Sequence, residues 1–448
     1  MRLPYVAPIV FTTLAIAGCG SGSGLRIETQ ATSSLRPSAV SKTAPVDPAT
    51  GEIGSGFGCR ALPRAARRRL GEVTYLRVDA IRVTSLASCR TRTLVPRGAD
   101  GPLRFSPSGR WIAYGRGTVV SADGRSILRP LGAKAVDWTW VAHHDDLLVG
   151  VTAAGGVVSG RPGQTPRRSQ PDGWGAFGVV ADQDGSRLAI ARGSDRRNRD
   201  AQIWTADPDD PGRPRLAYRL PNATAAVQVA GFTPGGQILF WPNRLGSASL
   251  EADGLPLQAL APRLHRVTTV TTSMLLNRDW IARCGQRVAL TVGGDRRANL
   301  DKALALSEPP NVRVVANLAG GSRSWISPDC TPDGHIIVAA AGPNRDEHSF
   351  GDERRSIWSV SPESARRVRL TPSPPTHISD EDPRVSPDGK WVMFVRSGPL
   401  RRERLPGRLY LASITGTRLV GPLATIGPGV SYYGQSSWHD QVDWHVVR

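Results

Sequence analysis

The feature that most constrains this chain is a turn that keeps returning. Ser386-Pro387-Asp388-Gly389-Lys390 is followed by the apolar run Trp391-Val392-Met393-Phe394-Val395. Related stretches are Ser106-Pro107-Ser108-Gly109-Arg110 before Trp111, Asp182-Gln183-Asp184-Gly185 before Leu188, Thr233-Pro234-Gly235-Gly236 before Ile238, and Thr331-Pro332-Asp333-Gly334 before Ile336. Pro presets φ for a turn, Asp or Ser bonds its own backbone, and Gly accepts positive φ without steric cost. The pattern predicts a tight hairpin turn with Gly in the left-handed position. The strand after it is apolar on both sides, so both its faces must be covered. An alternating strand follows in most units, as in Gln202-Ile203-Trp204-Thr205 and Ser356-Ile357-Trp358. A basic outer strand such as Arg366-Arg367-Val368-Arg369-Leu370 completes the unit. Four strands per unit, with the inner ones sandwiched between neighbours, describe a propeller blade.

The turn glycines count the blades. They are Gly109, Gly185, Gly236, Gly285, Gly334 and Gly389. The first two stand 76 residues apart, while no later gap exceeds 55. The long gap hides a degenerate unit, filled by Val136-Asp137-Trp138-Thr139-Trp140 and residues 146–151. An eighth unit is shared between the two ends. Residues 72–95 read as its outer two strands, and residues 436–447, with Trp438, Val442 and Trp444, as its inner two. A shared blade closes the ring and removes both sheet edges. The expected fold is all-β: a single propeller of eight four-stranded blades, or seven if the Asp137 unit is not a blade of its own.

The Ser/Thr-Pro-Asp-Gly-Lys turn with its buried strand resembles the TolB-like, WD-repeat-like β-propeller family, over roughly residues 72–448. The resemblance implies the fold and leaves function open, since that family includes partner-binding proteins and domains attached to enzymes. No counterpart of TolB's additional N-terminal domain is legible, so a role in the Tol-Pal system is not carried over.

The N-terminus reads as a targeting segment. After Arg2, residues 5–16 form an apolar stretch too short to span a bilayer. It runs into Leu14-Ala15-Ile16-Ala17-Gly18-Cys19, which resembles the bacterial lipobox. That resemblance implies a lipoprotein signal peptide over residues 1–18 and a lipid on Cys19. Residues 20–58 are rich in Ser, Thr, Pro, Gly and Ala, without apolar periodicity, and read as a flexible linker. Such a chain of about 38 residues spans roughly 35 Å r.m.s.. The propeller is then residues 59–448, held near the outer face of a bacterial cell membrane or another envelope membrane.

Four further cysteines remain: Cys59, Cys89, Cys284 and Cys330. An even number in an exported chain favours disulfides. Cys284 and Cys330 both fall at the turn between the first two strands of consecutive units, which pairs them and leaves Cys59 with Cys89.

The net charge is +19, from 57 Lys and Arg against 38 Asp and Glu. A basic surface attracts nucleic acid, anionic lipid or acidic polymers, and export argues against nucleic acid. The densest basic cluster is Arg60, Arg64, Arg67, Arg68 and Arg69, just after the linker.

No catalytic motif, metal-ligand set or cofactor-binding pattern is legible: no P-loop, no His-Glu-x-x-His, no Rossmann glycines and no nucleophile elbow in the ring. The best polar group is His377 with Asp380, Glu381 and Asp382, in a connection just before an inner strand. Such connections crowd the mouth of the central channel. Three carboxylates beside a His suit a cation, a basic partner group or acid–base work. The plainer expectation is a solvated acidic loop, whose replacement leaves folding intact. His143-His144-Asp145-Asp146 and Asp207-Pro208-Asp209-Asp210 read as solvated turns. His439, Asp440, Asp443 and His445 alternate within an expected inner strand. The recurring tryptophans read as packing between blades. The expectation is therefore a non-enzymatic, lipid-anchored module that binds an envelope protein or glycan. The contrasting expectation is a lyase or hydrolase of envelope polymers working at the channel mouth.

Overall fold

A computed structural model describes residues 59–193, 200–220, 226–243, 253–294, 296–297, 300, 302–309, 311–316, 323–342, 354–375, 378–398, 406–432 and 435–446. Cys19, the linker and His377 lie outside the described residues.

Eight four-stranded antiparallel sheets follow one another along the chain. Blades 2 to 8 each use four consecutive strands and span residues 103–128, 135–170, 176–219, 227–274, 281–316, 324–369 and 379–428. The Asp137 unit is thus a blade of its own, blade 3. Blade 1 closes the ring with strands from both ends, but in a different proportion from that expected. Glu72–Arg77, Ala80–Ser85 and Arg90–Val95 supply three strands, and Val442–His445 supplies only the innermost. The sequence hid the extra strand because the turn between the first two, Val78-Asp79, contains no glycine. Val78 itself takes the left-handed conformation, at φ 58°. The other residues expected near the C-terminal end form a two-stranded hairpin, Val430–Tyr432 with Gln435–Ser437.

The repeated turn does what its residues dictate. In blade 8 the Ser386 hydroxyl accepts from the Trp391 N–H at 2.9 Å, and the Gly389 N–H donates to the Ser386 carbonyl at 2.8 Å. Gly389 sits at φ 69°, and the other five turn glycines also have positive φ. Blade 3 lacks this glycine. Asp146 takes the left-handed conformation instead, at φ 58°. It is also buried, contrary to the solvated turn expected there, because blade 2 docks on it. The Ser108 hydroxyl donates to Asp146 at 2.7 Å and Arg110 at 3.2 Å. The second strands are covered on both faces, as in Leu147–Thr152 and Ile336–Ala341, where every residue is buried. Apolar clusters fill the seams between neighbouring blades. Trp325, Trp391 and Trp438 are buried in such clusters.

Charge is sorted along the blade radius. The eight outermost strands carry ten arginines and no acidic residue. The eight innermost strands carry six acids and three arginines. Charged side chains on an outermost strand discourage edge-to-edge pairing with another chain, but either sign would serve that purpose.

The structure pairs Cys59 with Cys89 and Cys284 with Cys330, at Cα–Cα distances of 5.6 and 5.3 Å. The first ties the segment entering the ring to blade 1. Leu62 and Leu70, on either side of the short helix Arg64–Arg67, are buried in the cluster that joins blades 1 and 8. The second joins the innermost strands of blades 6 and 7 at their ends. Cross-linking residues 46 apart restricts the unfolded chain, worth roughly 3–4 kcal/mol in the chain-entropy account. Cys284→Ser with Cys330→Ser is therefore expected to lower unfolding stability by that amount in urea titration. An unchanged midpoint and slope would show that the bond does not constrain the native protein, and a Cys59–Cys284 peptide in non-reducing maps would overturn the blade register.

Candidate functional site

Polar side chains collect where the innermost strands meet the central channel. The innermost strands of blades 3, 4, 5, 7 and 8 each show a register shift against their neighbour. A bulge bends a strand and re-aims a side chain. The residues just past three of these shifts are Asp137, Asp329 and Arg384. Asp137 accepts the Val179 N–H of blade 4 at 2.9 Å, and Asp329 accepts the Val385 N–H of blade 8 at 2.7 Å. Asp443 of blade 1 does the same for Phe105 of blade 2 at 2.6 Å. Each carboxylate thus fastens its blade to the innermost strand of the next.

A second set of contacts crosses the channel. The 3-10 turn Arg278–Trp280 leads into blade 6. Its Arg278 forks onto Asp137 of blade 3, at 3.2 and 3.0 Å. Its Asp279 meets His439, just ahead of blade 1's inner strand, with Nε2 to Oδ1 at 2.8 Å. Neither partner lies on a blade adjacent to blade 6. Arg104 of blade 2 donates to the His439 carbonyl at 2.8 Å and to Asp440 at 3.1 Å. Arg384 of blade 8 donates to the same carbonyl at 2.9 Å. Together these groups form a polar plug across the channel. Burial and the nearby Arg384 push the His439 imidazole below its ordinary pKa, toward the neutral form. Burial opposes charge on Asp279, but His439, Arg104 and Arg384 outweigh it and hold the carboxyl below the usual range. A neutral His bonded to a carboxylate is a candidate general base. Among the described residues the imidazole is bonded to Asp279 and to no hydroxyl or thiol.

The acids expected at the channel mouth occupy a different setting. Asp380, Glu381 and Asp382 lie in the innermost strand of blade 8, Ser379–Val385, and are 0%, 2% and 5% exposed. The solvated-loop expectation is therefore incorrect. Arg396 holds both oxygens of Asp380, at 2.7 and 3.0 Å. Arg355, itself buried, bonds Glu381 at 2.8 Å. Asp382 accepts the Trp438 N–H, while its other oxygen is buried and, among the described residues, meets no donor at good hydrogen-bond geometry. Burial pushes Asp382 up to about 7, and the neighbouring Glu381 and Asp279 add to the rise. Beside it is a cavity of about 10 Å³, room for one water, lined by Asp382, Arg384, Phe394, Trp438 and His439. Joint replacement of the three acids is thus expected to weaken the fold, not to leave it intact.

Of the other residues singled out in the sequence, His439, Asp440 and Asp443 do converge, and they belong to the plug. His144 meets Asp209 across blades 3 and 4 at 3.1 Å, so two turns read separately touch. Arg60, Arg64, Arg68 and Arg69 are exposed beside the entering segment. Arg104, Arg278, Arg384, Asp137, Asp279 and Asp329 were not foreseen. One signal lay in the parallel stretches Ser327-Pro328-Asp329 and Asp382-Pro383-Arg384, both of which span a register shift. Among the described residues no group of three or more His, Cys, Asp or Glu side chains is placed to hold a metal ion.

The strand pairing defines the protein as an eight-bladed β-propeller. Comparison with models of known protein families found no match. No curated protein matches the chain. Among solved structures, TolB from Acinetobacter baumannii is similar at 12% identity, over 78% of this chain and 63% of that one, with a TM-score of 0.35. Putative TolB from Agrobacterium tumefaciens is similar at 14% identity, over 84% of this chain and 99% of that one, with a TM-score of 0.34. A prolyl endopeptidase structure is similar at 12% identity, over 80% of this chain and 61% of that one, with a TM-score of 0.45. Two of these are TolB structures, the family that the turn motif resembles. The chain spans less than two thirds of the Acinetobacter TolB and of the endopeptidase.

Proposed function

We propose that this propeller is an exported, lipid-anchored interaction module of the bacterial cell envelope, without catalysis of its own, that presents its outer surface to a protein or glycan partner. The observation that carries this reading is the polar plug. His439, Asp279, Arg278 and Asp137 satisfy one another across the channel, where a propeller enzyme would keep its reactive groups open to substrate. Asp380 and Glu381 are likewise committed to Arg396 and Arg355. What remains is the surface, whose outermost strands are basic, so the partner that suits it is acidic. The two disulfides fit an oxidising compartment, and the residues around Cys19 resemble a lipidation signal. Dual acylation there holds a protein on a membrane far more firmly than one chain does.

Two measurements test the reading. Cys19→Ser is expected to move the protein from the membrane to the soluble fraction. A variant that still pellets, with no labelled fatty acid on the wild type, removes the anchor. Crosslinking in intact envelopes is expected to recover a partner held through the ring. Turnover of envelope polysaccharide or peptide by the purified chain, lost in His439→Gln, would replace the binding role with an enzymatic one.

A further inference from the structure

Blade 7 carries a cluster of arginines and indoles that meets no carboxylate among the described residues, although Arg369 donates to the Ser373 hydroxyl at 2.5 Å. Trp325 and Trp358 meet edge to face, with ring centroids 6.1 Å apart. Trp358 pairs with Arg369 in the register of the outer two strands, and Val360 with Arg367. Alternate strand positions share a face, so Trp358, Val360, Arg367 and Arg369 all point to one side of the blade. Trp325, Trp358 and Val360 pack in the cluster shared with blade 6, so that side faces blade 6. The guanidinium of Arg323 lies 4.7 Å from the Trp358 ring centre and that of Arg369 lies 5.9 Å from it. Arg367 lies 5.9 Å from the Trp325 ring centre. Among the described residues no carboxylate pairs with any of the three. Elsewhere in the ring arginines find acids, as Arg92 does with Glu72 and Arg296 with Asp253. The indole N–H groups of Trp325 and Trp358 and the Nε–H of Arg367 are buried and have no acceptor among the described residues.

Blade 4 shows what is missing. It has the same furniture: Trp174 and Trp204 meet edge to face at 5.7 Å, with Arg192 over both rings. There the Gln202 side-chain oxygen accepts from the Trp204 indole at 2.7 Å and from Arg192 at 2.8 Å. Gln202-Ile203-Trp204 corresponds to Ser356-Ile357-Trp358 in blade 7, and the short serine bonds the Pro372 carbonyl instead. The acceptor built into blade 4 is absent from blade 7, where two further arginines have been added. Trp241 and Trp280 also lack an indole acceptor, but among the described residues no arginine covers their rings.

We propose that the blade-6-facing side of blade 7 binds a phosphate-type oxyanion, held by Arg323, Arg367 and Arg369 beside Trp325 and Trp358. Guanidinium forks match the tetrahedral oxygens of phosphate. Three uncompensated positive charges call for a multiply charged anion rather than a single carboxylate. Burial and the like charge of Arg369 already push Arg323 below its ordinary pKa, a repulsion that a bound anion relieves. Arg367 and Arg369 are two of the ten arginines on the outermost strands, so the site lies on a basic rim. The site does not depend on the anchor or on the envelope reading, since it is tested on the purified chain.

The test is calorimetric titration of the full chain with inorganic phosphate at constant ionic strength. Saturable one-site binding is expected, weakened at least tenfold in Arg323→Gln with Arg369→Gln. Ser356→Gln, which restores the acceptor found in blade 4 and removes no charge, is expected to compete with phosphate and weaken it likewise. Arg313→Gln on blade 6, whose guanidinium already bonds the Pro362 carbonyl, is expected to bind as the wild type does. Acetate at the same concentration is expected not to compete. No saturable binding by the wild type, or equal binding by the Arg323/Arg369 variant with its circular dichroism intact, overturns the site. Polyphosphate distinguishes the source: tighter binding at equal phosphorus marks a polymer, and equal binding a free ion.

Discussion

Replacing Arg355 by Met is expected to lower the stability of the ring by about 3–5 kcal/mol, because it removes the cation paired with a buried carboxylate. Arg355 and Glu381 are 1% and 2% exposed, with N to O at 2.8 Å. The Ser379 hydroxyl donates to the same Glu381 oxygen at 2.7 Å, and the Arg355 backbone N–H donates to that hydroxyl at 3.2 Å. The pair joins Arg355, just ahead of the third strand of blade 7, to the innermost strand of blade 8, so its loss acts on the seam between them. Desolvation of two charges offsets much of their mutual attraction. The double variant Arg355→Met with Glu381→Met is therefore expected to recover most of the loss. Urea titrations of the three proteins decide it. A single variant within about 0.5 kcal/mol of the wild type, the range of ordinary surface changes, would mean that the pair is not buried as described.

The second large effect is a pH dependence centred on Asp382. Its folded pKa of about 7 lies above the ordinary aspartate value of 3.8. The folded protein therefore binds the proton more tightly than the unfolded chain does. The stability this contributes is fully present below the unfolded pKa and is lost as pH rises through about 7. The slope is roughly 1.4 kcal/mol per pH unit, for a total of about 4 kcal/mol. Asp382→Asn keeps an oxygen to accept the Trp438 N–H and suits the positive φ of 48° at this position. Its advantage over the wild type is expected to grow from pH 4 to pH 7 and then level off. Burial also raises Asp380 and Asp329, but both remain in the variant, so the difference between the two proteins isolates Asp382. Parallel stability curves for the two proteins between pH 4 and pH 8 would refute the assignment.

The architecture was legible because seven of the eight blades announce themselves with one left-handed residue at the turn between their first two strands. Where that residue is glycine, counting works. Where it is Asp146 the blade is faint, and in blade 1, whose first two strands come from opposite ends of the chain, the left-handed Val78 at the next turn hid a strand, since nothing in a single sequence marks a non-glycine as left-handed. The disulfide register followed from the same periodicity. The acids of blade 8 were misread for a different reason. A run of three carboxylates reads as solvated unless partners are in view, and Arg355 and Arg396 arrive from elsewhere in the chain. The channel plug was less legible still. Asp279, Arg278 and Arg104 carry no local motif, and they become neighbours of His439 and Asp137 only when the ring is closed.

That closure has a consequence for how the chain reaches its final form. The innermost strand of blade 1 comes from Val442–His445, and Trp444 there donates to the carbonyl of Leu70, 374 residues earlier. Seven blades can assemble in order as the polypeptide emerges, each on the one before it. The first cannot, because its missing strand is made last. Until then its Glu72–Arg77 strand offers an unsatisfied row of backbone groups to any extended segment nearby. Contacts of such long range form slowly, so a nascent chain spends its whole emergence with that flank open to capture by folding helpers or by another copy.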